Sequence, residues 1–144
     1  MIWYKGLFSF QGRLNRQGFW TGIAINFAFL FILVNFLPNP TAFNTIMLLP
    51  LAISLYSCLA IIVKRLHDRN RSGKNAFILC VPIACYLMAQ STTGDIAWLL
   101  GLLMPMLICT IVFLEWGFFR SYPQANQYGE QGLPFIFKEK IKTL

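Results

Sequence analysis

Four long apolar stretches contain none of the chain's lysines or arginines, and this pattern constrains the fold more than any other feature of the sequence. Nineteen residues of α-helix span roughly 28 Å, close to the ~30 Å hydrocarbon core of a bilayer. The sequence therefore predicts an all-α membrane protein with four transmembrane helices in a single domain, 1–144. The predicted spans are about 19–37, 45–63, 76–93 and 96–119.

Composition supports lipid rather than water as the main surroundings. Hydrophobic residues make up 57% of the 144 residues and charged residues only 12%, against about 25% charged in soluble domains. A soluble domain of this length could not cover its surface with so few polar groups. The four cysteines lie inside the apolar stretches without C-x-x-C spacing, so neither a disulfide framework nor a thiolate metal site is expected.

The third stretch is the shortest of the four. Its apolar core, 76–90, has 15 residues and would reach only about 22 Å as an α-helix. Adding residues 91–93, whose hydroxyls can bond to their own helix, lengthens the span. The alternative is a re-entrant hairpin formed by the third and fourth stretches, which leaves two full crossings.

The positions of the cations favour four crossings. Three precede the first span, five separate the second from the third, and four follow the fourth. Four crossings place these segments (1–18, 64–75 and 120–144) on one side, which the positive-inside rule makes cytoplasmic. The twelve cations are Lys5, Arg13, Arg16, Lys64, Arg65, Arg69, Arg71, Lys74, Arg120, Lys138, Lys140 and Lys142.

The predicted topology therefore has both termini inside, with basic cytoplasmic loops and tails. The twelve cations face four carboxylates, so this side carries a net charge of +8. A basic surface at the membrane attracts anionic headgroups by roughly 1 kcal/mol per well-placed cation.

Three polar motifs flank the spans. They are F-x-G-R-x-N-R-x-x-F-W at Phe10–Trp20, R-L-H-D-x-x-R-S-G at Arg65–Gly73 and N-x-Y-G at Asn126–Gly129. In order and spacing they resemble the bacterial domain of unknown function 805 family, the YhaH-like inner-membrane proteins. The resemblance covers nearly the whole chain and implies a bacterial inner-membrane location, but no activity.

The polar residues around Asp68 allow two interpretations, one structural and one catalytic. Asp68 next to the membrane needs a partner, and arginine offers a bidentate one. This predicts that Asp68 ties the basic loop after the second span to the Arg13/Arg16 segment, with His67 capping or hydrogen-bonding nearby. The alternative is an acid/base pair of His67 and Asp68 in a lipid-headgroup enzyme. Adjacent helical residues point about 100° apart, so this pairing is awkward.

Glu115 lies at the end of the fourth span, where pairing with Arg120 or the basic loops is the expected role. A small transporter or channel using Glu115 and the proline-kinked spans is the alternative. The prolines are Pro50, Pro82 and Pro105. Catalysis, a metal site and a cofactor are not expected, because the chain has one histidine and no phosphate-binding or hydrolase motif.

The leading hypothesis is a non-enzymatic scaffold or accessory subunit acting through its basic cytoplasmic face. Expected partners are the bilayer and anionic phospholipids, with a membrane-protein partner or a second copy of the chain as further candidates, and no nucleic acid. The candidate structural or binding residues are Arg13, Arg16, Arg65, His67, Asp68, Arg69, Arg71, Glu115, Asn126 and Tyr128.

Overall fold

The computed structural model describes residues 3–36 and 45–135. Within these ranges the chain forms five helices: α1 (Trp3–Phe8), α2 (Arg16–Phe36), α3 (Thr45–Asp68), α4 (Gly73–Ala89) and α5 (Asp95–Phe118). The predicted loop at 38–44 and the tail cations Lys138, Lys140 and Lys142 lie outside the described residues. The all-α prediction is confirmed for the described part, which contains two isolated bridges and no strand.

Three of the helices, α2, α3 and α5, are long and apolar enough to cross a membrane. At their polar ends, α2 and α3 extend beyond the spans predicted from the sequence. Helix α2 begins at Arg16 instead of residue 19, and α3 continues through Asp68 instead of ending at residue 63. Hydropathy falls at Lys64, but the helix continues because the charged side chains of its last turn find buried partners.

Helix α4 is the short apolar helix and has 17 residues, 73–89. Its first seven residues, Gly73–Leu79, form a 3₁₀-helix and the next ten, Cys80–Ala89, an α-helix. Ser91 and Thr92 do not extend it: their hydroxyls donate to the carbonyls of Met88 and Ala89 and close its last turn. Compared with the predicted span 76–93, the helix therefore begins three residues earlier and ends four residues earlier.

Helices α2 and α3 pack closely around a small polar group. Asn26 of α2 donates to Ser57 Oγ at 3.0 Å and accepts from Ser54 Oγ at 3.2 Å. A Cβ on Gly22 would lie 2.8 Å from Ile61 Cδ1, so a larger residue there would displace the Ile61 side chain. These contacts fix the relative position of α2 and α3, on which the polar end of the bundle is built.

The buried apolar core lies near that same end. It includes Leu14, Phe19, Ile61, Leu66 and Trp116, each at most 4% exposed. The middle of the helices instead presents apolar side chains outward, among them Phe27, Phe31, Leu55, Met106 and Ile111. The described part of the chain therefore combines a folded polar end with a long apolar surface around its helices.

Candidate functional site

A buried ionic cluster lies where α3 ends. Asp68, its last residue, is fully buried. Its Oδ2 accepts from Arg65 Nη1 at 2.6 Å, and its Oδ1 accepts from Arg13 Nε at 3.4 Å. The predicted contact between Asp68 and Arg13 is present, and Arg65 joins it. A buried carboxylate between two guanidinium groups is held by charge as well as by hydrogen bonds.

The Arg13 guanidinium also holds the polypeptide that follows α5. Its Nη1 donates to the backbone oxygens of Gln124, Gly129 and Glu130 at 2.8, 3.2 and 3.0 Å. Its Nη2 donates to the backbone oxygen of Tyr122 at 2.5 Å. Since backbone carbonyls occupy these donors, Arg13 acts as a structural clamp on residues 122–130.

Arg65 performs a similar role at the end of α5. Its Nε donates to Trp116 O at 2.6 Å and its Nη2 to Phe119 O at 2.5 Å. The last carbonyls of a helix lack partners within the helix, and cations are favourable there. Arg65 therefore joins the ends of α3 and α5. Together, residues 9–16, 64–72 and 119–135 form what we call the polar cap.

Two glycines make the close approach of these segments feasible. Gly12 has a φ of 92°, which side-chain-bearing residues rarely adopt, and it directs the chain from α1 toward Arg13. Gly132 lies against the buried carboxylate, where a Cβ would overlap Oδ1 of Asp68. The tail can therefore cross the ionic cluster only with glycine at position 132.

His67 and the tail motif form a second contact of the polar cap. The rings of His67 and Tyr128 stack at 3.7 Å between centroids with 2° between planes. Asn126 Nδ2 donates to the His67 backbone oxygen at 2.8 Å, and Asn126 Oδ1 accepts from the Tyr128 backbone N–H at 2.9 Å. Asn126 thus binds the end of α3 while it shapes the turn that carries Tyr128.

Glu115 is paired with the basic loop, one of the two partners predicted for it. Its Oε1 accepts from Arg69 Nη1 at 3.0 Å and forms an ion pair with Arg71 Nη1 at 2.8 Å. Arg69 also donates to the Glu115 backbone oxygen at 3.1 Å, which adds another cap to α5. The ion pairs of Glu115 with described residues are those with Arg69 and Arg71, and Arg120, the other predicted partner, is not among them.

Arg16 does not join the ionic cluster. Its Nη1 donates to Phe118 O at 3.3 Å, and the side chain lines a cleft of about 630 Å³ between the start of α2 and the end of α5. The cleft is lined by Asn15, Arg16, Gln17, Trp20, Gly117, Phe118, Arg120 and Ser121. Within the Arg13/Arg16 segment, the contact with Asp68 is therefore made by Arg13.

Lys64 belongs to the polar cap but was not among the candidate binding residues predicted from the sequence. It is fully buried, and its Nζ donates to the backbone oxygens of Lys5 and Gly6 in α1, at 3.0 Å for Lys5. The signal for it was its position directly before Arg65 at the end of an apolar helix. A lysine there either reaches the interface or turns back onto a neighbouring backbone, and Lys64 does the latter.

The three motifs therefore fold into one structure. Both oxygens of Asp68 are bound by arginine, and one face of His67 is covered by Tyr128. Among the described residues, no three His, Cys, Asp or Glu side chains form a group that could hold a metal ion. Among the described residues, the exposed cations without a carboxylate partner include Arg16 and Arg120, which line the cleft.

Comparison with known proteins identifies the same family that the three motifs indicate. The family described as "Protein of unknown function (DUF805)" matches residues 7–130. The uncharacterized protein YiiR of Escherichia coli strain K12 is 36% identical over 145 residues, which cover 95% of this chain and 94% of that protein, and YiiR of Escherichia coli O157:H7 matches equally. No solved structure matches the chain. With most of its length matched and its three motifs joined in one polar cap, the chain belongs to the DUF805 family.

Proposed function

We propose that the chain is a non-enzymatic bacterial inner-membrane protein, a small scaffold or accessory subunit that binds anionic lipid or a membrane partner through a basic cytoplasmic face. The observation that carries the proposal is the polar cap. Arg13, Asp68 and the tail at 122–130 come from three separate cation-bearing segments, yet they meet at one end of the bundle. Segments that meet at one end of a bundle lie on one side of the membrane.

The length of α4 supports four crossings. A 3₁₀-helix rises about 2.0 Å per residue and an α-helix 1.5 Å, so seven and ten residues give roughly 29 Å. That is close to the ~30 Å hydrocarbon core, provided that Lys74 in the polar first turn extends its ammonium group to the cytoplasmic interface. With four crossings, the positive-inside rule puts the polar cap and both termini in the cytoplasm.

The topology is tested with a reporter that is active only in the periplasm, fused after Thr93 between α4 and α5. An active reporter there, and a silent one after Glu130, is the expected result. A silent reporter at Thr93 would leave α4 and α5 as a re-entrant pair and overturn the four-span proposal.

Binding through the basic face is tested by neutralising exposed cations that have no carboxylate partner. Lys5, Arg16, Lys74 and Arg120 meet this condition among the described residues. The quadruple variant K5Q/R16Q/K74Q/R120Q should copurify with less anionic lipid in mild detergent than the wild type. Equal anionic lipid and equal copurified protein in both would overturn the proposed function.

Arg69 and Arg71 are poor choices for this experiment, because their loss leaves Glu115 unpaired. The same contacts bear on the transporter alternative. A carboxylate held by two arginines at a helix end is placed for pairing, whereas a proton-coupled carrier needs its carboxylate near the middle of the membrane. The structure offers no separate observation that favours transport, so we propose only the binding role.

A further inference from the structure

The cleft between the start of α2 and the end of α5 differs from the rest of the polar cap in its charge. Arg13 and Arg65 share Asp68, and Arg69 and Arg71 share Glu115. Arg16 and Arg120 both line the cleft and have no carboxylate partner among the described residues. The cleft therefore holds two cations without a counter-charge.

The side chains around these cations present hydrogen-bond donors. Arg16 donates one N–H to Phe118 O, and the other N–H groups of its guanidinium can donate to a ligand. Ser121 Oγ already accepts from Arg65 at 3.3 Å, so its hydroxyl proton is available to donate. No described residue that lines the cleft carries a carboxylate. A group of donors with excess positive charge suits an anion that accepts several hydrogen bonds, and phosphate is such an anion.

The position of the cleft adds to its chemistry. It lies where the apolar helices α2 and α5 meet the polar cap, which in the proposed topology is the depth of the headgroup phosphates. Trp20 forms one wall, donates to Gly117 O at 3.2 Å and packs edge-on against Phe113 and Phe118. An indole that is apolar on one side and hydrogen-bonded on the other is typical of the membrane interface.

We propose that this cleft binds the phosphate group of an anionic phospholipid, with Arg16 and Arg120 as the cations that hold it. The inference rests on the proposed binding function and deepens it by naming the site and the ligand class. A phospholipid fits better than free phosphate because the cleft opens beside the apolar surfaces of α2 and α5, along which acyl chains can lie.

The experiment uses the full chain in neutral detergent and counts bound lipid by native mass spectrometry. Short-chain phosphatidylglycerol, phosphatidylcholine and inorganic phosphate are titrated in separate arms. The cleft variant is R16Q/R120Q, and the matched control is K5Q/K74Q, which removes the same charge outside the cleft. R16K/R120K keeps the charge but loses the planar fork. R120Q alone changes a side chain with no hydrogen bond to another described residue, so it tests the site if the double variants misfold.

The wild type should bind phosphatidylglycerol more tightly than phosphatidylcholine. R16Q/R120Q should bind it about tenfold more weakly, R16K/R120K should lie in between, and K5Q/K74Q, which removes two charges of the basic face outside the cleft, should lose much less binding than R16Q/R120Q. R120Q should also bind it more weakly than the wild type.

Equal losses in the cleft variant and the matched control would overturn the cleft as a site. Equal binding of phosphatidylcholine would overturn the preference for an anionic headgroup. Displacement of the lipid by inorganic phosphate would assign the cleft to free phosphate and overturn the lipid assignment.

These outcomes differ from failure of the proposed function. If the quadruple variant loses anionic lipid while R16Q/R120Q behaves like K5Q/K74Q, the basic face binds lipid without a dedicated cleft. If the quadruple variant loses nothing, both proposals fail together.

Discussion

Arg65 and Asp68 lie one turn apart at the end of α3, with 2.6 Å between Nη1 and Oδ2 and no exposure of either side chain. Arg13 approaches the same carboxylate from the segment before α2. Two guanidinium groups on one carboxylate leave a net positive charge, which the backbone carbonyls at the end of α5 and in the tail offset. Asp68 is thus the point on which the three motifs converge.

Replacing Asp68 with asparagine should destabilise the protein by about 3–5 kcal/mol, because two buried arginines lose their counter-charge. The measurement is thermal unfolding in detergent together with the amount of protein in the membrane. Glu130→Gln is the matched control, since its side chain is exposed and forms no ion pair with a described residue. An Asp68→Asn protein that unfolds at the wild-type temperature would show that the cluster carries little stability.

Replacing Gly132 with alanine should cost about 1–3 kcal/mol, because the new methyl group overlaps the buried carboxylate of Asp68. The tail should lift from the polar cap, so its amides should exchange hydrogen faster while those of α2 are unchanged. Gln131→Ala alters the exposed neighbouring residue and should leave exchange as in the wild type. Equal exchange in the two variants would contradict the close approach at Gly132.

Replacing Asn126 with alanine should loosen the turn that carries Tyr128 by about 1–3 kcal/mol, because the His67 carbonyl and the Tyr128 N–H both lose a partner. Cleavage by a protease within residues 122–130 reports this loss. Gln127→Ala, at an exposed position in the same turn, is the control. Wild-type resistance to cleavage in Asn126→Ala would mean that Arg13 alone holds the tail.

Replacing Lys64 with methionine should detach α1 and cost about 1.5–3 kcal/mol, because the ammonium group donates to the Lys5 and Gly6 carbonyls. Hydrogen exchange of the α1 amides measures the effect. Lys74→Met removes an exposed cation and should not change α1. If α1 stays protected in Lys64→Met, then packing of Leu7 in the core holds it instead of the lysine.

Hydropathy and charge identify most of the helical fold of this chain. The apolar stretches predict α2, α3 and α5, and the excess of arginine near Asp68 predicts a salt bridge to Arg13. The length of α4 could not be predicted, because a 3₁₀ start has no distinct apolar period. The end of α3 was placed too early, since Lys64–Asp68 reads as a loop until its buried partners are known.

The partners of the arginines were harder to predict than the arginines themselves. Arg13 and Arg65 bind mainly backbone carbonyls, and any residue type can supply one. Sequence alone therefore cannot distinguish Arg13, which is clamped, from Arg16, which is free to line a cleft. For the same reason Arg120 was counted among the cations but not among the candidate binding residues.

The docking of the tail on Arg13 has a consequence for how the protein is made. Arg13 leaves the ribosome early, but the Gln124 carbonyl that it binds follows 111 residues later. Until residues 119–130 have been synthesised, Arg13 and Arg65 lack their backbone partners after α5. The polar cap can therefore close only after every described helix has been made.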